Sequence, residues 1–439
     1  MLALVLAGAV PTRPAAGGTL AEALAEAYAG NPRLEAGRSA LRAADEGMPV
    51  ARAAGRPQLT ATSTAALNAL GDDLPAARQS LSLSQLLYAG GGVSAATRAA
   101  ERSADAESAR LRLTEQDVLL DAVRAYTAVT RDRQVQELAR ANEDRMALEV
   151  AATRDRERFG DLTETDIHQA ESRHAAGTAE RIAAEGAVEI AQADFVRVVG
   201  KPPGSLDPAP LPESLPATLE QALAETGSSW GWRAADADVA VAQEAVEVSL
   251  AALKPRLTMA GELSYAADGG QQYSSGTGAA VGATLSVPLY QGGGAYAKVR
   301  QSRQVLSQRR YARDDAERAA RSAIVEAWTS GATAAAVIRS VERQVAAARF
   351  ALAGVRQEAQ IGARAVVDVL DAESELFEAQ VQLARAERER VVAAYQLLAA
   401  TGRLTAEDLG LPLAYDGQEA APGKAGSDGM DPGTGNVDE

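Results

Sequence analysis

Apolar positions along this chain follow two periods, and each predicts a different element. Between Val281 and Leu289 the residues Val281, Ala283, Leu285, Val287 and Leu289 alternate with Gly282, Thr284, Ser286 and Pro288, the period of a strand with one apolar face. Leu81 and Leu83 alternate with Ser82 and Ser84 in the same way. Partner strands begin at Pro57 (Leu59, Ala61, Ser63) and Pro255 (Leu257, Met259, Gly261, Leu263, Tyr265). Turn residues Gly71-Asp72-Asp73 and Asp268-Gly269-Gly270 lie between the members of each pair, so the pattern predicts two hairpins. Beyond Gly92 and Gly294 the period lengthens. No proline or turn cluster intervenes before Phe159-Gly160 and Ile361-Gly362, which predicts two helices of about 66 residues, each ~100 Å long. Val337, Val341, Val345, Ala348, Leu352 and Val355 form one stripe on the second of them. In the following segment Leu370, Phe377, Ala384, Val391 and Leu398 recur every seventh residue, with Val367, Val381 and Tyr395 filling the alternate seam. A period near 3.5 predicts left-handed coiled-coil packing.

The whole pattern occurs twice. Tyr88 and the glycines 90–92 recur as Tyr290 and 292–294, Gly160 as Gly362, Asp166 as Asp368, Ala170-Glu171-Ser172 as Ala372-Glu373-Ser374, and Gly200 as Gly402, all at an offset of 202. Thr60 matches Thr258 at an offset of 198, so the second hairpin is four residues longer. Its turns are expected to face outward, where loops tolerate length change. Each copy opens on a helix-start signature, Thr19 with Glu22 and Thr218 with Gln221. Asn31-Pro32 breaks the first helix, and a second runs to about Gly55. The expected organisation is a partial secretory leader over 1–16, one repeat over 17–201, a proline-rich linker over 202–217, a second repeat over 218–415 and an acidic, disordered tail over 416–439. A buried N-terminal strand is the alternative for the leader.

Composition narrows the picture. Apolar residues make up 46% of the 439 residues but aromatics only 4%, so small side chains suit closely approaching helices better than a thick globular core. A net charge of −15 argues against nucleic acid or an anionic lipid surface as partner. Cysteine is absent, which excludes disulfides, thiolate metal sites, cysteine nucleophiles and lipid on an N-terminal cysteine. No stretch approaches the ~18–20 apolar residues of a transmembrane helix, so a membrane-inserted form must span with strands. Four short strands cannot close a spanning barrel, so several chains must contribute.

Catalytic and cofactor motifs fail on spacing. Gly200-Lys201-Pro202-Pro203-Gly204 lacks the register and the amides of a phosphate loop. His168 and His174 are the only histidines, six apart and without ligand spacing. No cofactor, metal or enzymatic activity is expected. The glycine triplets Gly90, Gly91, Gly92 and Gly292, Gly293, Gly294 are read as bends between strand and helix.

A capped helix, a hairpin, Leu-Tyr-x-Gly-Gly-Gly, a ~100 Å helix, a Gly-x5-Asp turn and a returning helix, all duplicated, resemble the TolC-like outer-membrane efflux protein family from Thr19 to about Leu413. The most specific stretches run from Gly362 to Ala372 and from Gly160 to Ile167. The resemblance implies an α+β membrane protein. Three protomers would form a twelve-stranded outer-membrane β-barrel continuing into a periplasmic α-helical barrel. It further implies a homotrimer in outer-membrane lipid, working with a periplasmic adaptor and an inner-membrane transporter. Asp368 and Asp371, one turn apart on a helix, match the family's aperture ring, and Thr165, Asp166 and Arg364 match positions that tie neighbouring helices shut. Ala359 stands where some members carry a tyrosine latch. The plain alternative for each acid is a solvated coiled-coil face. Arg158 to Asp166, followed by Gln169-Ala170-Glu171, is similar to members serving type I protein secretion with an ABC transporter. The alternatives are a multidrug efflux duct served by a proton-driven pump, and a pore-less periplasmic scaffold.

Overall fold

The computed structural model describes residues 18–66, 76–267 and 276–411. The expected leader, the acidic tail and the turns at 71–73 and 268–270 lie outside the described residues. Copy one runs through α1 (Leu20–Gly30), α2 (Pro32–Asp45), α3 (Gly47–Ala53), β1 (Gln58–Ala66), β2 (Ala76–Tyr88), α4 (Gly92–Arg158) and α5 (Glu164–Val199). Copy two runs through α6 (Leu219–Ala224), a single 3-10 turn, α7 (Trp230–Ala251), β3 (Arg256–Ala267), β4 (Gly276–Ser286), α8 (Gly294–Gln360) and α9 (Val366–Ala400). The long helices α4 and α8 each hold 67 residues, about 100 Å of rise.

Two local differences from the sequence expectation have plain causes. The second helix of copy one is broken at Glu46, where copy two has the continuous α7. Pro49, third in α3, lacks the N–H that would bond the carbonyl of Asp45, and Glu247 holds the matching place in α7. Thr19 and Glu22 form the full reciprocal cap at 3.3 Å. Thr218 accepts from the Gln221 amide at 3.2 Å, but the Gln221 side chain accepts from Ala217, not from Thr218, at 3.0 Å.

The four strands form one antiparallel sheet in the order β1-β2-β3-β4. Its register aligns Leu59, Leu83, Gly261 and Val281 in one row and Ala61, Leu81, Leu263 and Ala279 in the next. Directly opposite residues share a face, so these rows make one side of the sheet apolar. The other side carries Thr60, Ser82, Glu262 and Ala280, then Thr62, Ser80, Ser264 and Gly278, with Arg78 3.8 Å from Glu262. The apolar face is bare along the chain, and Val281 is 83% exposed on it. Among the described residues no strand pairs with the outer edge of β1 or of β4.

The main core lies where the linker crosses the helices. Leu24, Leu34, Leu119, Tyr126, Phe195, Leu398 and Leu404 meet there, and the Tyr126 hydroxyl lies 2.8 Å from the Gly18 carbonyl and 2.7 Å from that of Asp207. Burial pushes the phenol up to about 12. Farther along, α9 is buried on two sides. Val369, Leu376 and Ala379 pack on Val341, Val345, Ala348 and Leu352 of α8. The heptad seam read from the sequence faces copy one: Leu370 meets Met146, Val150 and Ala170, and Phe377 and Val381 meet Ala139 and Ala184. Val337 departs from the expected stripe and is 42% exposed, whereas Ile338 is buried. Counting back from Val341 in alternating steps of three and four reaches 338 and 334, not 337.

Candidate aperture at the turns between the long helices

The two turns that close the helical hairpins lie side by side. Leu162, from the first turn, packs with Met146, Val150 and Ala170, and with Val366 and Leu370 just after the second. This brings Thr165 and Asp166 on α5 to the same end as Arg364, Asp368 and Asp371. Thr165 is exposed on the first turn of α5. The Asp166 carboxylate accepts from the Thr163 amide at 2.9 Å and from the Thr163 hydroxyl at 2.8 Å. These bonds, the amide first, hold its carboxyl below the usual carboxylate range. A depressed acid contributes stability that is fully present above its unfolded value of about 3.9 and lost as pH falls through the folded value. Amide exchange at 163–167, corrected for intrinsic rates, should therefore rise on acidification. Asp166→Asn should raise it at neutral pH and flatten the pH response; an unchanged profile would remove this role from the carboxylate.

Asp368 and Asp371 each have a cationic partner in the same chain. Asp371 is 2.6 Å from Arg173 of α5, and Asp368 is 3.8 Å from Arg364. Arg364 also donates to Glu358 at 2.9 Å, and this bond comes first among the causes that hold its guanidinium above its ordinary range. Within one chain, then, Arg364 reaches Glu358 and Asp368, not Thr165 or Asp166. Ala359 is buried in the α8–α9 seam. Sequence patterning did not point to Arg173 or Glu358. A signal for Arg173 exists in the duplication, where its counterpart 202 residues on is Glu375, a reversal of charge.

A deeper ionic group lies beside these residues. Glu373 is fully buried and accepts from Arg145 of α4 at 2.9 Å and from Arg356 of α8. Its counterpart Glu171 pairs with Arg154 at 2.6 Å and with His168 at 3.3 Å, near the surface. Burial first, and then the charge of Glu373, push the nearby Glu149 carboxyl up. At the opposite end of the long helices, Gly90 and Gly91 have φ of 61° and 86°, and Gly292 and Gly293 have φ of 60° and 79°. These left-handed bends turn the sheet strands into α4 and α8, which begin at the third glycine of each triplet.

Residues 23–201 and 232–403 match the outer membrane efflux protein family. The chain belongs to this family. It is 35% identical over 417 residues to the outer membrane efflux protein BepC of Brucella suis, covering 94% of this chain and 91% of that one. It is 29% identical over 320 residues to the alkaline protease secretion protein AprF of Pseudomonas aeruginosa, covering 70% of this chain and 65% of the other. Its fold superposes on the Campylobacter jejuni CmeC outer membrane channel with a TM-score of 0.77 at 14% identity, over 91% and 90% of the two chains. The protein is thus an outer-membrane channel protein of the efflux family whose helices extend into the periplasm.

Proposed function

We propose that the protein is the outer-membrane exit duct of a tripartite export system, assembled as a homotrimer and fed by an inner-membrane ABC transporter through a periplasmic adaptor, in type I protein secretion. The observation that carries the duct is the sheet. It has one apolar and one polar face, with free outer edges on β1 and β4 among the described residues. Unpaired edges are not tolerated in lipid, so copies join edge to edge, and three of them give twelve strands. Similarity to AprF favours protein cargo. The more extensive match to BepC supports a second reading, small-molecule efflux with a proton-driven pump. Native mass spectrometry of detergent-extracted protein should give a trimer. Deleting the gene should abolish release of a protein into the medium and leave drug tolerance unchanged; the reverse outcome would establish the efflux reading.

Asp368 and Asp371 line the periplasmic mouth in this reading, as two carboxylate rings about the threefold axis. Thr165, Asp166 and Arg364 do not meet within one chain, so the closing contact assigned to them falls between protomers. Carboxylates concentrated in a narrow mouth attract multivalent cations. Replacing both acids by Ala should weaken block by a trivalent cation in planar bilayers by ~10-fold or more. Arg173→Ala, which frees Asp371, should strengthen the block. Equal block in all three proteins would return the acids to ordinary helix surface.

A further inference from the structure

The sheet holds almost no charge, and what it holds lies on one face. Among the described strand residues only Arg78, Arg256 and Glu262 are charged, and the register puts all three on the polar side. Arg256 opens β3 at the helix end, six residues and ~20 Å from Glu262. Arg78 and Glu262 meet farther out, with 3.8 Å between guanidinium and carboxylate.

The two do not stand side by side in the register. Arg78 is opposite Ala266 and Glu262 is opposite Ser82, and the row of Thr62, Ser80, Ser264 and Gly278 lies between them. The arginine therefore folds along the wall, across that row, to reach the acid. Short side chains leave room for this, and a Cβ on Gly278 would already meet the Ser264 hydroxyl at 3.4 Å. Glu262 stands in a row with Thr60, Ser82 and Ala280. A long cation and a long anion are thus laid against each other on a wall otherwise built from hydroxyls, alanine and glycine. Both are exposed. An exposed pair contributes little to stability, so the fold of the sheet does not account for it.

We propose that Arg78 and Glu262 set the charge selectivity of the exit barrel. Repeated about the threefold axis, they make a ring of three cations and three anions that is neutral as a whole. The barrel then releases cargo of either sign, in contrast to the acidic mouth at the other end of the helices. The inference rests on the duct reading above, which turns the polar face inward. Neutrality depends on one pair per chain, because Arg78 has no other ion pair among the described residues and neither has Glu262. Loss of either member leaves three like charges around a water-filled lumen, where the low-dielectric surroundings focus their field.

Absence of native cysteine lets a single thiol report the local potential. Ala280→Cys places it on the polar face directly opposite Glu262, and Val281→Cys places it on the apolar face. Modification rates are measured in outer-membrane vesicles with two methanethiosulfonates of matched size, one bearing a sulfonate and one a quaternary ammonium. Their ratio cancels the reactivity of the thiol itself. Glu262→Ala added to Ala280→Cys should raise the anionic-to-cationic ratio about fivefold at ~0.1 M salt, and Arg78→Ala should lower it by a similar factor. Both changes together should restore the ratio of the paired protein, as should Arg78→Lys, which keeps the charge. The shifts should fade at ~1 M salt. A ratio that neither single change moves, or that both move in the same direction, overturns the assignment of the pair and leaves the duct standing. If the apolar-face thiol reacts and the polar-face thiol does not, the inward face is wrong, and the duct reading and this inference fail together.

Discussion

Val281→Arg is expected to remove the protein from the outer membrane. Val281 lies mid-strand on the apolar face, opposite Gly261 and in the row with Leu59 and Leu83. From Leu257 to Tyr265 that face is about eight residues, or ~27 Å, close to the ~25 Å apolar band of outer-membrane barrels. Tyr265 marks its outer end, and Tyr88 and Tyr290 lie toward the helices, where aromatic side chains favour the lipid–water boundary. Arginine at the centre of the lipid face costs about 2–4 kcal/mol per strand, hence roughly 6–12 kcal/mol in a trimer. The neighbouring change Ala280→Arg points to the polar face, opposite Glu262, and should be tolerated. The readout is the fraction of protein that resists carbonate extraction and runs as a heat-resistant trimer. Equal behaviour of the two variants would overturn the assignment of faces.

The sheet was legible because its period is two. A register slip of one residue would expose Thr60 and Ser82 where Leu59 and Leu83 belong, so alternation alone specifies the faces. Helix extent was legible for a complementary reason, since nothing between Gly92 and Arg158 or between Gly294 and Gln360 interrupts the backbone. What periodicity names is a face and not its partner. The seam from Leu370 to Leu398 was found at the right positions, yet it packs on α4 and α5, not on its own hairpin mate α8. Val337 was misplaced because two successive steps of four drift off a 3.5 period.

The long-range ionic contacts were not legible from local spacing. Arg173 and Asp371 are 198 residues apart, and Arg145 and Glu373 are 228 apart, so no local spacing announces either pair. Glu171 and Glu373 stand in the same repeated triplet with the same neighbours. One is near the surface and the other fully buried, and the second has α4 of the other repeat against it, through Arg145. Duplication in sequence therefore overstated the equivalence of the two sites, and the helix that breaks the equivalence is α4.

Arg145→Ala is expected to loosen the mouth end of α9. Glu373 is held by Arg145 from α4 and Arg356 from α8, so this one carboxylate fastens α9 to a helix of each repeat. Removing one partner of a buried pair costs about 3–5 kcal/mol. Here Arg356 remains, and Glu373 is left facing Glu149, whose carboxyl already feels its charge, so a value near the lower bound is expected. That corresponds to on the order of a hundredfold more frequent opening, read as faster amide exchange over 366–380 and as higher resting conductance in planar bilayers. Arg154→Ala breaks the exposed counterpart pair with Glu171 and should leave exchange and conductance nearly unchanged. Glu373→Gln added to Arg145→Ala removes the unpaired buried charge while keeping the side-chain volume, and should recover most of the protection. If Arg145→Ala behaves like Arg154→Ala, or if the Gln substitution restores nothing, the buried carboxylate does not fasten α9, and its hold rests on the apolar seam of Val366, Leu370 and Phe377 alone.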